Sequence, residues 1–257
     1  MRIAVLLKEV PDTYSDREMN LQTGLTDRSG DVVADEVSER AVEAALRIAE
    51  AGENVEVEIL SVGPESSADS VRRGIAMGAS EAYIVSDEAL TGADVTLTAE
   101  VLAKLVEKQG YDLAIAGAES SDGGTGVIAP FMAELLDWPV LTNLTELTLE
   151  GDTVRATQAS DAATAQLEAQ LPAVVSVADE FADPRFPNFK GLMAAKKKEL
   201  HAITLAELGV DPDDFTHPRA IMTSIERRPE RERGEIIDGN TTAAARLVDF
   251  LESKNLI

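Results

Sequence analysis

The stretch Gly117-Ala118-Glu119-Ser120-Ser121-Asp122-Gly123-Gly124-Thr125-Gly126 follows the apolar run Leu113-Ala114-Ile115-Ala116 and leads into a helical pattern over 125–136. Glycines let a backbone approach a ligand closely, and the first amides of a helix are unpaired donors with a partial positive charge. Together they suit a phosphate. The spacing is neither G-x-G-x-x-G nor G-x-x-x-x-G-K-[ST], and the same residues also suit a tight turn with capping side chains.

Two other segments carry chemistry. Lys8-Glu9-Val10-Pro11-Asp12-Thr13 opens an aperiodic stretch running to Asp35, long for a connection in a compact domain and therefore a candidate functional loop. Lys8 suits either a phosphate or a pairing with Asp12. The second segment, Asp183-Pro184-Arg185-Phe186-Pro187-Asn188-Phe189-Lys190, holds two of the six phenylalanines in a proline-bounded loop. Such rings serve as docking anchors or pack back on their own domain. The basic run Lys196-Lys197-Lys198 just beyond is either a salt contact to an acidic partner or a solvated helix end. No nucleophile–base pair stands out, which suits a protein that makes no bonds of its own.

Composition narrows the classes. The chain has 257 residues, 44% of them hydrophobic, and carries a net charge of −24. That surface repels nucleic-acid phosphates and anionic bilayers. The charge also serves solubility. With no cysteine there is no disulfide, thiolate metal site or cysteine nucleophile. His201 and His217 have no ligand-spaced companions and read as solvated loop residues. The apolar run of five residues at 3–7 is too short for a signal-peptide core, and no stretch has the length of a membrane span. A cytoplasmic protein without membrane insertion is expected.

The elements that must position these residues alternate. Strand patterns at 3–7, 55–62, 82–85 and 113–116 are separated by helical patterns at 36–50, 67–77 and 93–108. Strands alternating with helices of this length make a parallel sheet with right-handed crossovers, so the fold class is α/β. After Trp138-Pro139, short alternating runs at 144–149, 153–157 and 164–169 read as a small antiparallel meander, and 171–177 returns to a buried strand. From Asp183 periodicity fades. The expected organisation is a nucleotide-binding domain over 1–195 and an extended C-terminal arm over 196–257 that ends in a helix at 242–253.

Several segments resemble one family in order and at its spacing: Lys8–Thr13, Arg40-Ala41-Val42-Glu43-Ala44-Ala45-Leu46-Arg47, Ser61-Val62-Gly63-Pro64, Ala76-Met77-Gly78-Ala79, and Pro184-Arg185-Phe186-Pro187 followed by Met193-Ala194-Ala195-Lys196-Lys197-Lys198. From Arg2 to about Val210 the chain resembles the beta subunit of an electron-transfer flavoprotein. The resemblance implies a heterodimer whose alpha subunit holds most of the redox FAD, while the beta subunit has a Rossmann-like nucleotide-binding fold and buries a structural AMP. By position it implies a nucleotide pocket of Leu6, Asp35, Glu36, Val37, Ser38, Val62, Gly117, Ala118, Glu119, Ser120, Ser121, Asp122, Gly123, Gly124, Thr125, Gly126, Val127 and Ile128. It implies docking of acyl-CoA dehydrogenases through Arg185, Phe186, Phe189 and Lys190, with Phe189 where relatives commonly carry an aliphatic anchor. Electrons would pass on to a membrane quinone oxidoreductase, in fatty acid beta-oxidation, and the C-terminal arm would embrace the alpha subunit.

The sequence departs from the family at three places. Arg155 is followed by Ala156-Thr157-Gln158-Ala159-Ser160-Asp161 rather than Arg-Glu, an acid and paired glycines, and Asp35-Glu36 replaces Asn-Pro. Electron-bifurcating relatives hold a second FAD in place of AMP, beside an Asp-Gly-Asp-Thr-Ala-Gln type of loop. Here Asp122-Gly123-Gly124-Thr125-Gly126-Val127 lacks the second acid and the Gln, which favours AMP. An adenine-nucleotide-binding stress-type protein would want Gly-x-x-Gly where Gly117-Ala118-Glu119-Ser120 stands. An ATP pyrophosphatase would want a Ser-Gly-Gly-x-Asp-Ser loop in place of Lys8–Thr13.

Overall fold

Ile3 and Val5 face one side of the first strand and Ala4 and Leu6 the other, and all four are buried. A strand apolar on both faces belongs inside a parallel sheet covered by two helical layers. The computed structural model has this form and describes residues 1–257 apart from Asp16, Glu232, Asp238 and Asn240. The chain begins with β1 (Arg2–Leu6), β2 (Glu9–Pro11), β3 (Val32–Ala34), α1 (Glu36–Ala51), β4 (Glu56–Val62) and α2 (Ala68–Met77). There follow β5 (Glu81–Val85), α3 (Val95–Gln109), β6 (Leu113–Gly117), α4 (Ile128–Leu136) and β7 (Val140–Glu150). Next are β8 (Thr153–Ala159), β9 (Thr164–Gln170), β10 (Ala173–Val177), α5 (Phe189–Lys197), β11 (His201–Ile203) and α6 (Leu205–Leu208).

Nine strands form one sheet in the order β11-β5-β4-β1-β6-β10-β7-β8-β9. The pairs from β11 to β7 are parallel, and β8 and β9 extend the sheet antiparallel. Helices α1 and α2 cover one face, packing Val42, Ala45 and Ile75 on Ile3, Ile59, Ile115 and Val175. Helices α3, α4 and α6 cover the other, packing Leu102, Leu105, Met132 and Leu205 on Ala4, Leu60, Ala114 and Val174. At the amino ends of the strands, buried Glu58 accepts from the Tyr111 hydroxyl at 2.7 Å and from Nε and Nη2 of the Arg2 guanidinium, the closest guanidinium contact being 2.9 Å. Burial, reinforced by this carboxylate, pushes the Tyr111 hydroxyl well above the usual phenol range.

The α/β class is as expected, and several details differ. The meander is not a separate layer: β7 is longer than expected and bonds β10 on one side and β8 on the other, so the antiparallel strands continue the main sheet. Helix α4 starts at Ile128 instead of 125, because Gly124 and Gly126 take φ of +56° and +64°, which a right-handed helix excludes. The stretch 8–35 contains the antiparallel pair β2–β3 and a bridge between Met19 and Thr26. Asp16, within that stretch, lies outside the described residues.

The first compact unit runs to Ser224 and so includes β11 and α6. The reason is local. β11 adds a parallel edge beside β5, and Leu205, Leu208 and Val210 are buried in the α3–α4 layer, so this segment supplements an existing core instead of building its own. His201 accordingly sits on a strand, stacked on Tyr83 with ring centroids 4.8 Å apart and 3.1 Å from Glu81 Oε2. His217 is exposed. Residues Ile225–Ile257 form a second unit. Its helix α7 (Ala243–Ser253) buries none of its described residues, and Arg246 pairs with Glu235. Among the described residues no helix is long and apolar enough to cross a membrane.

Candidate functional site

The strand order reverses at β1: β4 and β5 lie on one side of it, β6 and β10 on the other. In open parallel sheets ligands bind outside the carboxyl ends of the strands at such a switch point. Here that crevice is bordered by Lys8, just past β1, and by the loop 117–127, just past β6. Leu6 and Val62 end β1 and β4, and both belong with Ile128 to the apolar layer on the α3–α4 side.

One buried carboxylate ties three walls of the crevice together. Asp35 is the N-cap of α1, accepting from the Ser38 amide at 3.1 Å and the Ser38 hydroxyl at 3.2 Å. Its other oxygen accepts from the Ser121 amide at 2.9 Å, and its own amide donates to the Lys8 carbonyl at 2.8 Å. Gly117 allows this convergence. A Cβ there would stand 3.0 Å from the Val37 carbonyl carbon and 3.2 Å from the Ser38 nitrogen, tighter than ordinary packing tolerates. The first turn of α1 therefore rests directly on the end of β6.

A second carboxylate fixes the glycine loop. Asp122 pairs with Lys8 Nζ at 2.7 Å and with an Arg28 Nη at 2.5 Å, and its side chain is only 4% exposed. Burial opposes its charge. Hydrogen bonds and attraction from Lys8, with donors from Ser120 and Arg28, outweigh that and hold the carboxyl at about 2. Arg28 also donates to the Glu9 carbonyl, and Arg17 donates to the Ser121 carbonyl. All three basic residues of 8–35 thus grip the same loop. The reading of Lys8 as a partner of Asp12 gives way to Asp122, because the end of β1 faces the end of β6 across the crevice.

Beyond Asp122 the loop is open. Gly123, Gly124, Thr125 and Gly126 are exposed, Ala118, Ser120 and Ser121 are half-buried, and Glu119 and Glu36 are exposed acids at the rim. Gly124 donates to the Ser120 carbonyl at 2.9 Å. Helix α4 then begins after Val127 with no side-chain cap and no acid in its first turn. An uncapped helix start, reached through two left-handed glycines and flanked by two cations, fits an anionic group such as a nucleotide phosphate.

The second candidate surface is the segment between β10 and α5 together with the first turn of α5. Phe186 is 89% exposed and Phe189 is 79% exposed, so neither ring packs back on its own domain. Lys190 is exposed beside them. Arg185, grouped with them by sequence, is turned towards α1, where it pairs with Glu43 at 2.7 Å and with Glu50. Lys198 pairs with Glu81 at 2.7 Å. Arg17 and Arg28 escaped sequence reasoning; the available signal was that basic residues are scarce in this acidic stretch.

Comparison with known proteins bears on the whole chain. A family model described as "Electron transfer flavoprotein domain" matches residues 23–208. The chain is 39% identical to "Electron transfer flavoprotein subunit beta" of Mycobacterium tuberculosis, over 99% of each chain. It is 34% identical to the protein of the same name in Thermoanaerobacterium thermosaccharolyticum, over 100% of each. It is 31% identical to "Caffeyl-CoA reductase-Etf complex subunit CarD" of Acetobacterium woodii, again over 100% of each. By this match over nearly its entire length, the chain belongs to the electron transfer flavoprotein family, among the beta subunits.

Proposed function

We propose that this chain is the non-catalytic beta half of a heterodimeric electron carrier that takes electrons from acyl-CoA-type dehydrogenases and delivers them towards a membrane quinone oxidoreductase. The redox FAD is held mainly by the alpha subunit, and the flavin supplies all the electron chemistry. The beta chain binds one AMP at the switch-point crevice, shapes the flavin's surroundings and presents the docking loop at 183–190. Its place is the cytoplasm, in fatty acid beta-oxidation.

The observation that carries the AMP reading is the uncapped start of α4 behind Gly124 and Gly126, gripped from β1 by Lys8. Leu6, Val62 and Ile128 supply an apolar wall, and Asp35, Val37 and Ser38 supply the opposite one. Loop amides from Gly123 to Val127 would take the phosphate. Asp122 is committed to Lys8 and Arg28, so it structures the loop and is not a free acid facing a ligand.

A second reading has one specific support: similarity to a subunit of a complex named for caffeyl-CoA reductase. On that reading a second FAD replaces the AMP. The absence of the second acid and of the Gln in Asp122–Val127 favours AMP. Counting nucleotides in the purified heterodimer separates the two: one FAD and one AMP for the carrier, two FAD for the bifurcating form.

A further inference from the structure

Phe186, in the loop, and Phe189, at the start of α5, project into solvent from a segment that should collapse, because two exposed rings so close together gain by burying against any neighbouring apolar surface. What prevents collapse is visible at the base of the loop. The Arg185 amide donates to Glu43 Oε2 at 3.2 Å, its Nε donates to the same oxygen at 2.7 Å, and one Nη reaches Glu43 Oε1 at 3.3 Å and Glu50 Oε2 at 3.1 Å. The other Nη pairs with Glu50 Oε1. Every nitrogen of the guanidinium is therefore committed to α1.

The partner carboxylate is unusual for its place. Glu43 is a buried charge on α1, on the side of the helix that also carries Arg47 and Glu50, one and two turns further on. Burial opposes its charge, yet Arg185 and Arg47 hold its carboxyl below the usual range. Such an acid needs its partners, since a lone buried charge is costly. The rest of the loop is tied as well: Arg40 pairs with Asp183 and donates to the Phe181 carbonyl. Asn188 caps α5 through the Gly191 amide at 2.9 Å, and a Cβ on Gly191 would collide with the Ala76 carbonyl of α2.

We propose that Arg185 does not touch the dehydrogenase but is a positioning residue, an ionic strut from α1 that holds the Phe186–Phe189 pair in its docking conformation. This rests on the reading of 183–190 as the docking loop. A pre-ordered loop binds without first losing its conformational freedom, so the strut acts on recognition and not on the electron-transfer step.

The test uses the co-expressed heterodimer with butyryl-CoA dehydrogenase, reduced by butyryl-CoA, as the probe. Arg185→Gln, Arg185→Lys, Glu50→Gln and Phe189→Ala are compared in KM for the carrier, in kcat, and in hydrogen exchange of the amides of Arg185, Phe186, Asn188, Phe189 and Lys190. Arg185→Gln should raise KM about tenfold with little change in kcat, and should speed loop exchange about tenfold or more, while bound flavin and nucleotide stay stoichiometric. Glu50→Gln and Arg185→Lys should fall between wild type and Arg185→Gln, because a lysine cannot bridge two carboxylates as a planar fork does. Phe189→Ala should raise KM with loop exchange unchanged. Raised KM with unchanged exchange in Arg185→Gln would mean direct contact with the partner and overturn the strut, as would no change in either. An unchanged KM in Phe189→Ala would remove the docking reading itself, and the inference falls with it.

Discussion

Lys8 Nζ lies 2.7 Å from Asp122 Oδ1, so the residue that leaves β1 is locked to the loop that leaves β6 at the point where the sheet reverses its strand order. The pair has a sign that can be tested. Asp122 titrates at about 2 in the folded chain, below the value of about 4 for an unfolded carboxyl. Its stabilisation is therefore complete above the unfolded value and is lost as pH falls towards the folded one. Asp122→Asn should lower unfolding free energy near neutral pH by about 2 kcal/mol, with the deficit shrinking as pH falls below about 4. Denaturant titrations of both proteins across that range check it. A deficit that stays constant with pH would mean that the charge pair is not its source.

Gly124 is held at φ +56°, and a Cβ built there meets nothing within 4 Å. Gly124→Val should therefore act through the backbone and not through a clash, costing about 1–2 kcal/mol of local strain. If the loop binds phosphate through its amides, the variant should also lose bound AMP and heterodimer yield. Nucleotide content after purification is the readout.

Gly117 faces the opposite problem, space. A methyl there would press on Val37 and Ser38 and push the start of α1 off β6. Gly117→Ala should destabilise by about 1–3 kcal/mol. It should weaken nucleotide retention too, because the Asp35–Ser121 bond spans the same gap.

Phe189→Ala should slow reduction by an acyl-CoA dehydrogenase about tenfold at sub-saturating carrier, as expected for an aromatic anchor at a docking site. FAD and AMP content should be unchanged, since the ring is 79% exposed and far in sequence from the crevice residues. Stopped-flow reduction with either protein decides it.

Tyr111→Phe provides a control at the other edge of the sheet. It removes one donor to buried Glu58 and should cost about 1–3 kcal/mol. Nucleotide binding should persist, because this cluster sits at the amino ends of the strands.

The central strands and helices were legible because apolar periodicity decides them: the residues 3–6, 57–60 and 113–116 are buried on both faces, and α1 and α3 carry clear stripes. The short pieces were not. β11 has three residues and α6 four, and they are fixed by docking onto a finished sheet, a long-range effect that local pattern does not carry. The glycine loop announced itself by composition, yet its grip by Lys8, Arg17 and Arg28 depends on the fold bringing two loop ends together. The inward turn of Arg185 was hidden for the same reason: its partners Glu43 and Glu50 are more than a hundred residues away in sequence.

The most direct test of the account is the nucleotide content of the heterodimer. The chain is co-expressed with its alpha subunit, the purified complex is acid-precipitated and the supernatant is assayed for FAD and AMP. One FAD and one AMP per heterodimer is the predicted result. Two FAD and no AMP would contradict it and would place a second flavin in the crevice between β1 and β6.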